Sequence, residues 1–420
     1  MRESSVSAPE SISPSLRRNF SWTLFGNLVY AGCQWLVIVV IAKLGSPALV
    51  GQFTLAIAIT APVMLFAGMG LRIVQANDVA ATRPFGLYLA LRMTSTAIAL
   101  AVIAAIALAG GYSHATIVII LVLAIAKAAE ALSEIVWGQL QQRELMSVIA
   151  RSMVFKGALS VIGVFAVLAL THDLVLATAA FAFAWIATLV IYDLRAARGL
   201  FVESLRPRFD AQPMIELARL AFPLAIVVML ASYAVNTPRY FIDHYQGEHE
   251  LGVFSAIANL TLIGSTIMTA LGQVTAPRLA RCAIDKDRRG FVRLVRLLAL
   301  VGAVLGGGAL ATALVAGGPL LSLLYTSDYA SGANVFVVAM LAGLAANIAN
   351  AFGVAVIALG RYRVPVILQA LNLGAVLIAC ALLVPDHGAV GAAWALVVSS
   401  VTNAITFGGL LVYSLHRLDR

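Results

Sequence analysis

The stretch ATIVIILVLAIAKAAEALSEIVWGQLQ, at residues 115–141, is apolar enough to cross a lipid bilayer as one helix, which needs about 20 such residues. The rest of the chain has the same character. Of its 420 residues 61% are hydrophobic and 11% are charged, and the mean hydropathy is +0.96. Water-soluble domains of this size do not have such a composition. The sequence therefore predicts an all-α integral membrane protein.

Further apolar segments bring the prediction to about 12 transmembrane helices. In chain order the predicted spans are 21–43, 50–76, 86–110, 115–141, 147–170, 174–194, 214–241, 250–278, 291–316, 332–359, 364–384 and 389–415. The connections are too short for a sizeable soluble domain, and Cys33, Cys282 and Cys380 lack the spacing of a metal or redox pair. This organisation disfavours secreted, disulfide-stapled and nucleic-acid-binding classes.

Lysine and arginine fall on one side of this predicted bundle. The N-terminal tail and every second connection are basic, whereas the other connections carry only Lys43 and Arg239, both at helix ends. The positive-inside rule therefore places the N and C termini in the cytoplasm and accounts for the net charge of +9 without any nucleic-acid partner.

The two halves of the chain contain matching segments. Val50-Gly51-Gln52-Phe53-Thr54 after span 1 matches Leu251-Gly252-Val253-Phe254-Ser255 after span 7. Repeats of six spans share one orientation, so we expect two parallel six-helix lobes around a central cavity. The expected division is a cytoplasmic tail (1–20), an N-lobe (21–196), a cytoplasmic linker (197–212), a C-lobe (213–415) and a cytoplasmic end (416–420).

Four motifs, in their order along this frame, carry a resemblance to a known family. They are Ala42-Lys43-Leu44-Gly45-Ser46-Pro47 before Val50-Gly51-Gln52-Phe53, Arg239-Tyr-Phe-Ile-Asp243 before Leu251-Gly252-Val253-Phe254-Ser255, Glu130-x-x-Ser-Glu134 with Gly138-x-x-Gln141-x-Arg143-Glu144, and Pro385-x-x-Gly388-x-x-Gly391-Ala-Ala393. The chain, from about residue 17 to its end, thereby resembles the Wzx-type O-antigen and exopolysaccharide flippases of the multidrug/oligosaccharidyl-lipid/polysaccharide exporter superfamily.

That resemblance implies a fold like that of the MATE exporters, in a bacterial inner membrane. It implies alternating-access transport of an undecaprenyl-diphosphate-linked oligosaccharide to the periplasmic leaflet, coupled to an ion gradient and without an enzymatic step or a cofactor. Membrane lipids would surround the protein, and a polysaccharide polymerase with its chain-length machinery would be partners.

Polar side chains form stripes along several predicted spans. In span 1, Thr23, Asn27, Tyr30 and Gln34 follow 4-3-4 spacing, and span 7 places Ser232, Asn236, Arg239 and Asp243 in the same way. Span 8 adds Asn259, while spans 10 to 12 carry weaker marks at Asn347, Asn350, Gln369, Asn372, Thr402 and Asn403. Such groups either line a cavity suited to sugar hydroxyls or hold helices together. Spans 6 and 9, which are mostly aliphatic, are expected at the periphery.

Charged side chains concentrate in spans 4 and 5. Lys127, Glu130 and Glu134 share one face of span 4, and an antiparallel hairpin with span 5 predicts the ion pairs Glu130–Lys156 and Glu134–Arg151. These charges form a structural ladder, or Lys127 or Lys156 meets the diphosphate, or Glu130 or Glu134 exchanges a proton during coupling.

Further basic residues mark the two ends of the predicted pathway. Arg18, Arg72 and Arg92, near the cytoplasmic rim, could attract the diphosphate on its arrival, although positive-inside anchoring explains them equally. Lys43 and Arg239 could receive it at the outer exit. Arginine suits this ligand because its planar fork makes two directed hydrogen bonds at once.

The alternatives from the sequence are a cation-coupled drug antiporter of the same fold and a membrane polysaccharide polymerase or ligase. The antiporter branch typically carries an acidic residue in the cavity-lining helices of its first lobe, and predicted spans 1 and 2 contain none. The histidines show no triad or metal spacing, and no GxxxxGK[ST] loop is present for ATP-driven pumping. No enzymatic activity, metal or cofactor is therefore expected.

Overall fold

The computed structural model describes residues 14–78, 83–200, 205–359 and 364–418, and these ranges are helical without any strand. The first half contains α1 (Pro14–Leu44), α2 (Pro47–Gly68), α3 (Leu71–Asn77), α4 (Phe85–Ala109), α5 (His114–Gln142), α6 (Met146–Thr171), α7 (Leu174–Ala187), a π-helical turn (Thr188–Asp193) and α8 (Leu194–Leu200). The second half contains α9 (Ala211–Asn259), α10 (Thr261–Ile284), α11 (Arg288–Leu324), a 3-10 turn (Ser327–Gly332), α12 (Ala333–Ala358) and α13 (Val364–Leu418).

Two of these elements reverse direction at a glycine. Gly247 in α9 and Gly388 in α13 have non-helical backbone angles, with φ of 78° and 53°. Arg239 Nε lies 3.3 Å from Ser255 Oγ, which requires the chain to fold back between them. Ten apolar stretches are long enough to cross a membrane, and because two of them contain these reversals, the described chain has twelve segments of that kind. The predicted fold class, an all-α multi-pass membrane protein, is confirmed.

Local sequence explains where several helices begin and break. Ser46 caps α2 by accepting from the Leu49 amide, with Pro47 in the first turn, and Ser113 caps α5 in the same way. Predicted span 2 is broken into α2 and α3 because Met69 and Gly70 are left-handed, with φ of 50° and 59°. This break turns α3, which carries Arg72, away from the line of α2.

The remaining differences from the predicted spans concern the ends of helices and one peripheral segment. Helix α1 begins at Pro14, so part of the predicted tail continues this helix, while residues 1–13 lie outside the described ranges. Predicted span 6, which was expected at the periphery, has two unlike faces: Phe181, Trp185 and Asp193 are buried, whereas Phe183 and Ile191 are exposed. Its small residues allow close packing that a count of polar groups does not reveal.

The matched glycines of the two halves meet each other. A Cβ atom placed on Gly51 would lie 1.9 Å from the Glu248 carbonyl oxygen, and one on Gly252 would lie 1.8 Å from the Pro47 carbonyl oxygen. The glycine of each segment therefore contacts the residue that lies four positions before the glycine of the other segment. Only glycine permits this approach of two backbones, as at many helix crossings in membranes.

Hydrogen bonds between the halves cluster at the same end of the bundle as these glycines. Glu248 accepts from Gln52 Nε2 at 2.8 Å and from Thr116 Oγ1 at 3.2 Å. Lys43 Nζ donates to the Leu323 carbonyl at 3.1 Å. We call this the sealed end. The other end, which carries Arg83, Arg143 and Lys286 in its connections, is the basic end.

Candidate functional site

A cavity between the two halves lies toward the basic end. It consists of two adjoining spaces of about 640 and 380 Å³ that share Asn27, Arg72, Glu134 and Gln273 in their walls. We call their union the central cavity. Helices α1, α3, α4 and α5 of the first half face α10 of the second half across it, with further lining from Asn19, Thr23, Tyr30, Arg92, Glu130, Gln141, Ser265, Thr266 and Thr269.

Glu134 and Arg92 form an ion pair in this wall. Arg92 Nη2 donates to Glu134 Oε2 at 2.7 Å, and the Arg92 side chain is only 2% exposed. Arg92 lies against Gly68 of α2, where a Cβ would approach its Nη1 to 2.8 Å. Arg92 is thus held inside the first half and is not at the exposed rim where the sequence analysis placed it, because its carboxylate partner on α5 draws it inward.

Glu130 is the second carboxylate of the cavity wall that pairs with a cation. It accepts from Lys127 Nζ at 2.9 Å, one helical turn away on α5, and from the Tyr30 hydroxyl of α1 at 2.9 Å. Lys127 also lies 4.8 Å from the centre of the Trp185 ring. Both carboxylates that line the central cavity are therefore already paired with cations.

The predicted ladder between spans 4 and 5 is wrong in its pairing. Glu130 pairs with Lys127 and Glu134 with Arg92, while Arg151 is exposed and lies over the ring of Trp22 at 5.7 Å. The reason is that α6 packs chiefly against α1 and α7, not against α5. The assumption that consecutive spans face each other set the wrong register.

Lys156 is instead enclosed among aromatic rings. Its side chain is fully buried, and Nζ lies 4.4 Å from the Trp137 ring centre and 5.0 Å from that of Trp185. Within the described chain Nζ has no hydrogen-bond partner. Lys156 does not line the central cavity, because Trp137 stands between them.

Sequence reasoning missed Asp193, which is buried near Lys156. Its Oδ1 accepts from Ser152 Oγ at 2.6 Å and from Trp137 Nε1 at 3.2 Å. The π-helical turn places this carboxylate inside the first half. An acidic residue at the end of an apolar span, opposite a buried lysine, was the available signal.

Arg72 is the basic residue of the central cavity without a carboxylate partner in the described ranges. Its Nε donates to Gln141 Oε1 at 3.2 Å, and its guanidinium carbon lies 5.3 Å from the centre of the Trp137 ring. Both contacts hold the planar group in place, and within the described chain it forms no salt bridge, although Glu134 and Glu130 lie near enough to attract it. The side chain of Arg18, the third predicted access residue, lies outside the part of the chain that the structure describes.

The predicted stripe of span 1 divides between roles. Asn27 and Tyr30 line the central cavity, whereas Gln34 lies one turn further along, beside the Tyr30 hydroxyl. The predicted exit residue Lys43 reaches the second half at the sealed end, where it donates to a backbone carbonyl.

The predicted residues of spans 7 and 8 surround a separate space inside the second half. Arg239 donates from Nη1 to Asn236 Oδ1 at 2.9 Å and from Nε to Ser255 Oγ. Arg239 and Asn259 line a cavity of about 470 Å³, which we call the C-half cavity. Asn236 is buried and does not line it. Of the predicted substrate residues, Asn27 lines the central cavity, Arg239 and Asn259 line the C-half cavity, and Gln34, Lys127, Lys156 and Asn236 line neither.

The fold is that of a class of membrane transporters. The lipid II flippase MurJ in an inward closed conformation superposes with a TM-score of 0.75, over 95% of this chain and 91% of that chain, at 12% identity. An inward-facing multidrug resistance MATE family transporter of the MOP superfamily gives 0.71, over 95% and 94%, at 14% identity. At these identities the likeness concerns the fold alone.

The sequence places the chain in one family within that class. The family model described as polysaccharide biosynthesis protein matches residues 16–283, and the chain belongs to this family. It is also 27% identical over 393 residues to the capsular polysaccharide biosynthesis protein CapF of Staphylococcus aureus, covering 93% of this chain and 98% of the relative. The family resemblance drawn from the sequence motifs is confirmed.

Proposed function

We propose that this protein carries an undecaprenyl-diphosphate-linked oligosaccharide from the cytoplasmic to the periplasmic leaflet of a bacterial inner membrane by alternating access. The observation that carries the proposal is the central cavity, in which both carboxylates hold a basic partner and Arg72, the additional cation, forms no salt bridge within the described ranges. A diphosphate is the anionic part of such a lipid, and a fixed arginine fork in a partly dehydrated site binds it with two directed hydrogen bonds.

The charges of the wall favour an anion over a cation. Each cavity-lining carboxylate already holds a basic partner at 2.7 to 2.9 Å, so a cationic drug would have to displace one of them. Displacement at Glu134 would leave the buried Arg92 unpaired, which costs roughly 3–5 kcal/mol. This cost argues against the drug-antiporter alternative.

The contacts at the two ends support a direction of movement. We identify the basic end with the cytoplasm by the positive-inside rule, which places both termini there. The central cavity lies toward that end, and Glu248 joins the halves at the sealed end. Substrate would enter from the cytoplasm, after which the Glu248 and Lys43 contacts would break as the halves rock apart on the periplasmic side.

The same proposal covers coupling and partners. Glu130 and Glu134 are the cavity carboxylates through which an ion gradient could act, because loss of a carboxylate charge would release Lys127 or Arg92. A polysaccharide polymerase and its chain-length machinery would receive the product in the periplasm. Membrane lipids would cover the apolar outer faces of the helices.

The decisive experiment follows the substrate across a bilayer. Purified protein is reconstituted in liposomes with fluorescent undecaprenyl-diphosphate oligosaccharide from its own host, and the fraction cleaved by an external glycosidase is measured with and without a proton gradient. We expect protein-dependent exposure of the glycan. Folded protein that exposes no glycan would refute the proposal.

Two further outcomes separate the alternatives. Gradient-driven efflux of a cationic dye without glycan exposure would indicate the antiporter. Lengthening of the glycan in the same liposomes would indicate a polymerase or ligase. A heat-denatured sample and protein-free liposomes provide the background rates.

A further inference from the structure

The C-half cavity is lined by neutral amides from several elements. Asn259 ends α9, Asn350 belongs to α12, and Gln369 and Asn403 lie on the two arms of the α13 hairpin that turns at Gly388. Ser399 and Ser400 add hydroxyl groups to the wall. The α13 hairpin thus brings residues far apart in the chain to one cavity.

Three of these amides have an unsatisfied acceptor. The side-chain oxygens of Asn350, Gln369 and Asn403 are buried and have no hydrogen-bond partner within the described chain. A buried acceptor without a donor costs about 1–3 kcal/mol, so native proteins rarely keep several together. Water or a ligand with hydrogen-bond donors would satisfy these acceptors.

Charge limits the chemistry of that ligand. Among the described residues no carboxylate lines the C-half cavity, and the basic residue that does, Arg239, is already engaged by Asn236 and Ser255. The wall therefore offers neither a counter-ion for an organic cation nor a free fork for a phosphate. Neutral amides and hydroxyls beside apolar side chains such as Leu262 and Phe407 suit a polyhydroxylated, uncharged ligand.

The C-half cavity and the central cavity border the same residue of α10. Ser265 of α10 lines both spaces. A sugar chain attached to a diphosphate at Arg72 would extend past Ser265 toward the amides. The two cavities together present, in order, a cationic wall and a neutral hydrogen-bonding wall.

We propose that the C-half cavity is a glycan subsite, in which Asn350, Gln369 and Asn403 accept hydrogen bonds from sugar hydroxyls and select for the oligosaccharide. The inference rests on the proposed function for the source of the glycan. Binding of the free oligosaccharide can nevertheless be measured without any transport.

The test therefore begins with binding. The probe is the oligosaccharide released by mild acid from the lipid-linked precursor of the host, and its affinity for detergent-purified protein is measured by calorimetry. Gln369→Met and Asn403→Leu remove the amides at similar volume. We expect each to weaken binding about tenfold, equivalent to the loss of one good hydrogen bond.

Asn372→Leu is the matched control. Asn372 lies on the same helix, is 2% exposed and also has an unpartnered side-chain oxygen, but it does not line the C-half cavity. We expect it to leave the affinity unchanged. Equal losses in all three variants, or wild-type protein that does not bind the probe, would overturn the subsite.

Transport then distinguishes the two proposals. In liposomes, Gln369→Met and Asn403→Leu should slow an oligosaccharide-bearing lipid about tenfold more than a lipid diphosphate with a single sugar. Equal slowing of both lipids contradicts the subsite. Glycan binding without any flux would support the subsite and reject the flippase. Sodium ions could also stabilise the protein against thermal unfolding. If that stabilisation is lost in these variants and the probe gives none, the C-half cavity is a cation site instead.

Discussion

The central cavity and the C-half cavity lie in one fold but use different chemistry. In the first half, Glu130 is paired with Lys127 and Glu134 with Arg92. Arg72 is a further cation that forms no salt bridge within the described ranges. In the second half, amides with unpartnered oxygens take the place of charges. Internal ion pairs compensate one another without a ligand, whereas the amides are compensated only when a donor arrives.

Under the two proposals, this difference would let the two halves of the chain bind different parts of one molecule. A charged wall fixes the position of an anionic group through a few directed contacts. A neutral wall forms hydrogen bonds with the neighbouring hydroxyls, whose number and orientation vary between glycans. Changes in one wall should therefore affect the diphosphate, and changes in the other should affect glycan selectivity.

The largest expected effect comes from removing the carboxylate that pairs with the buried Arg92 side chain. Glu134→Gln leaves Arg92 buried without a counter-ion, and we expect the free energy of unfolding to fall by about 3 kcal/mol. Thermal unfolding in detergent measures it. Glu134→Leu combined with Arg92→Met should recover most of the loss, and a double variant no better than Glu134→Gln would show that the pair is not the cause.

The next prediction compares loss of Arg72, which lines the central cavity, with loss of an arginine outside both cavities. Arg72→Ala should lower transport of the lipid-linked oligosaccharide roughly 100-fold, because a charge-assisted double hydrogen bond is lost. Arg72→Lys keeps the charge but loses the fork and should recover part of the flux. Arg151→Gln, at an exposed arginine outside both cavities, should transport normally. Equal flux in Arg72→Ala and wild type would remove Arg72 from the site.

A smaller effect concerns the sealed end, which neither cavity touches. Glu248→Ala removes two hydrogen bonds between the halves and should shift the population toward the outward-open state about tenfold. Labelling of Ser265→Cys by a membrane-impermeant thiol reagent from the periplasmic side, in a variant without Cys33, Cys282 and Cys380, reports this shift. Glu250→Ala is the control at the same end. Unchanged labelling in Glu248→Ala would mean that Glu248 does not hold the halves together.

The smallest effect tests which lysine pairs with Glu130. The charge swap Lys127→Glu with Glu130→Lys should restore most of the stability that either single reversal loses, about 0.5–1 kcal/mol for a partly exposed pair. The swap of Glu130 with Lys156 should give no rescue. Rescue by the Lys156 swap alone would favour the pairing that the hairpin register predicted.

Hydropathy and glycine matches predicted the fold well because both report directly on the bilayer and on helix crossings. The twelve segments follow from the length of the apolar stretches, and the pair Gly51 and Gly252 marked a real contact between the halves. The break at Met69 and Gly70, which positions Arg72, was not predicted. Hydropathy depends on residue type and not on backbone angles, so it cannot show a left-handed residue inside an apolar segment.

The site was predicted less well because it depends on which helices are neighbours. Glu130 and Glu134 were recognised as unusual, yet their partners were assigned through sequence adjacency of α5 and α6, and Arg92 was placed near the cytoplasmic rim without a partner. Packing of α6 against α1, with Gly157 against Cys33, placed Lys156 among tryptophans instead. Likewise, Asn350, Gln369 and Asn403 are weak marks in three separate spans, and only the α13 hairpin shows that they share a cavity.

The contact between Gly51 and Gly252 has a consequence for the history of the chain. The contact is reciprocal, because each glycine approaches the residue four positions before the other glycine. The interface of a two-fold homodimer has the same form. A six-helix ancestor with one copy of this segment could have paired with itself through the same glycine. Fusion of two such copies keeps the interface while freeing each half to mutate alone. The unlike walls of the two cavities are what that freedom permits, since a strict homodimer would have to carry the same residues on both sides.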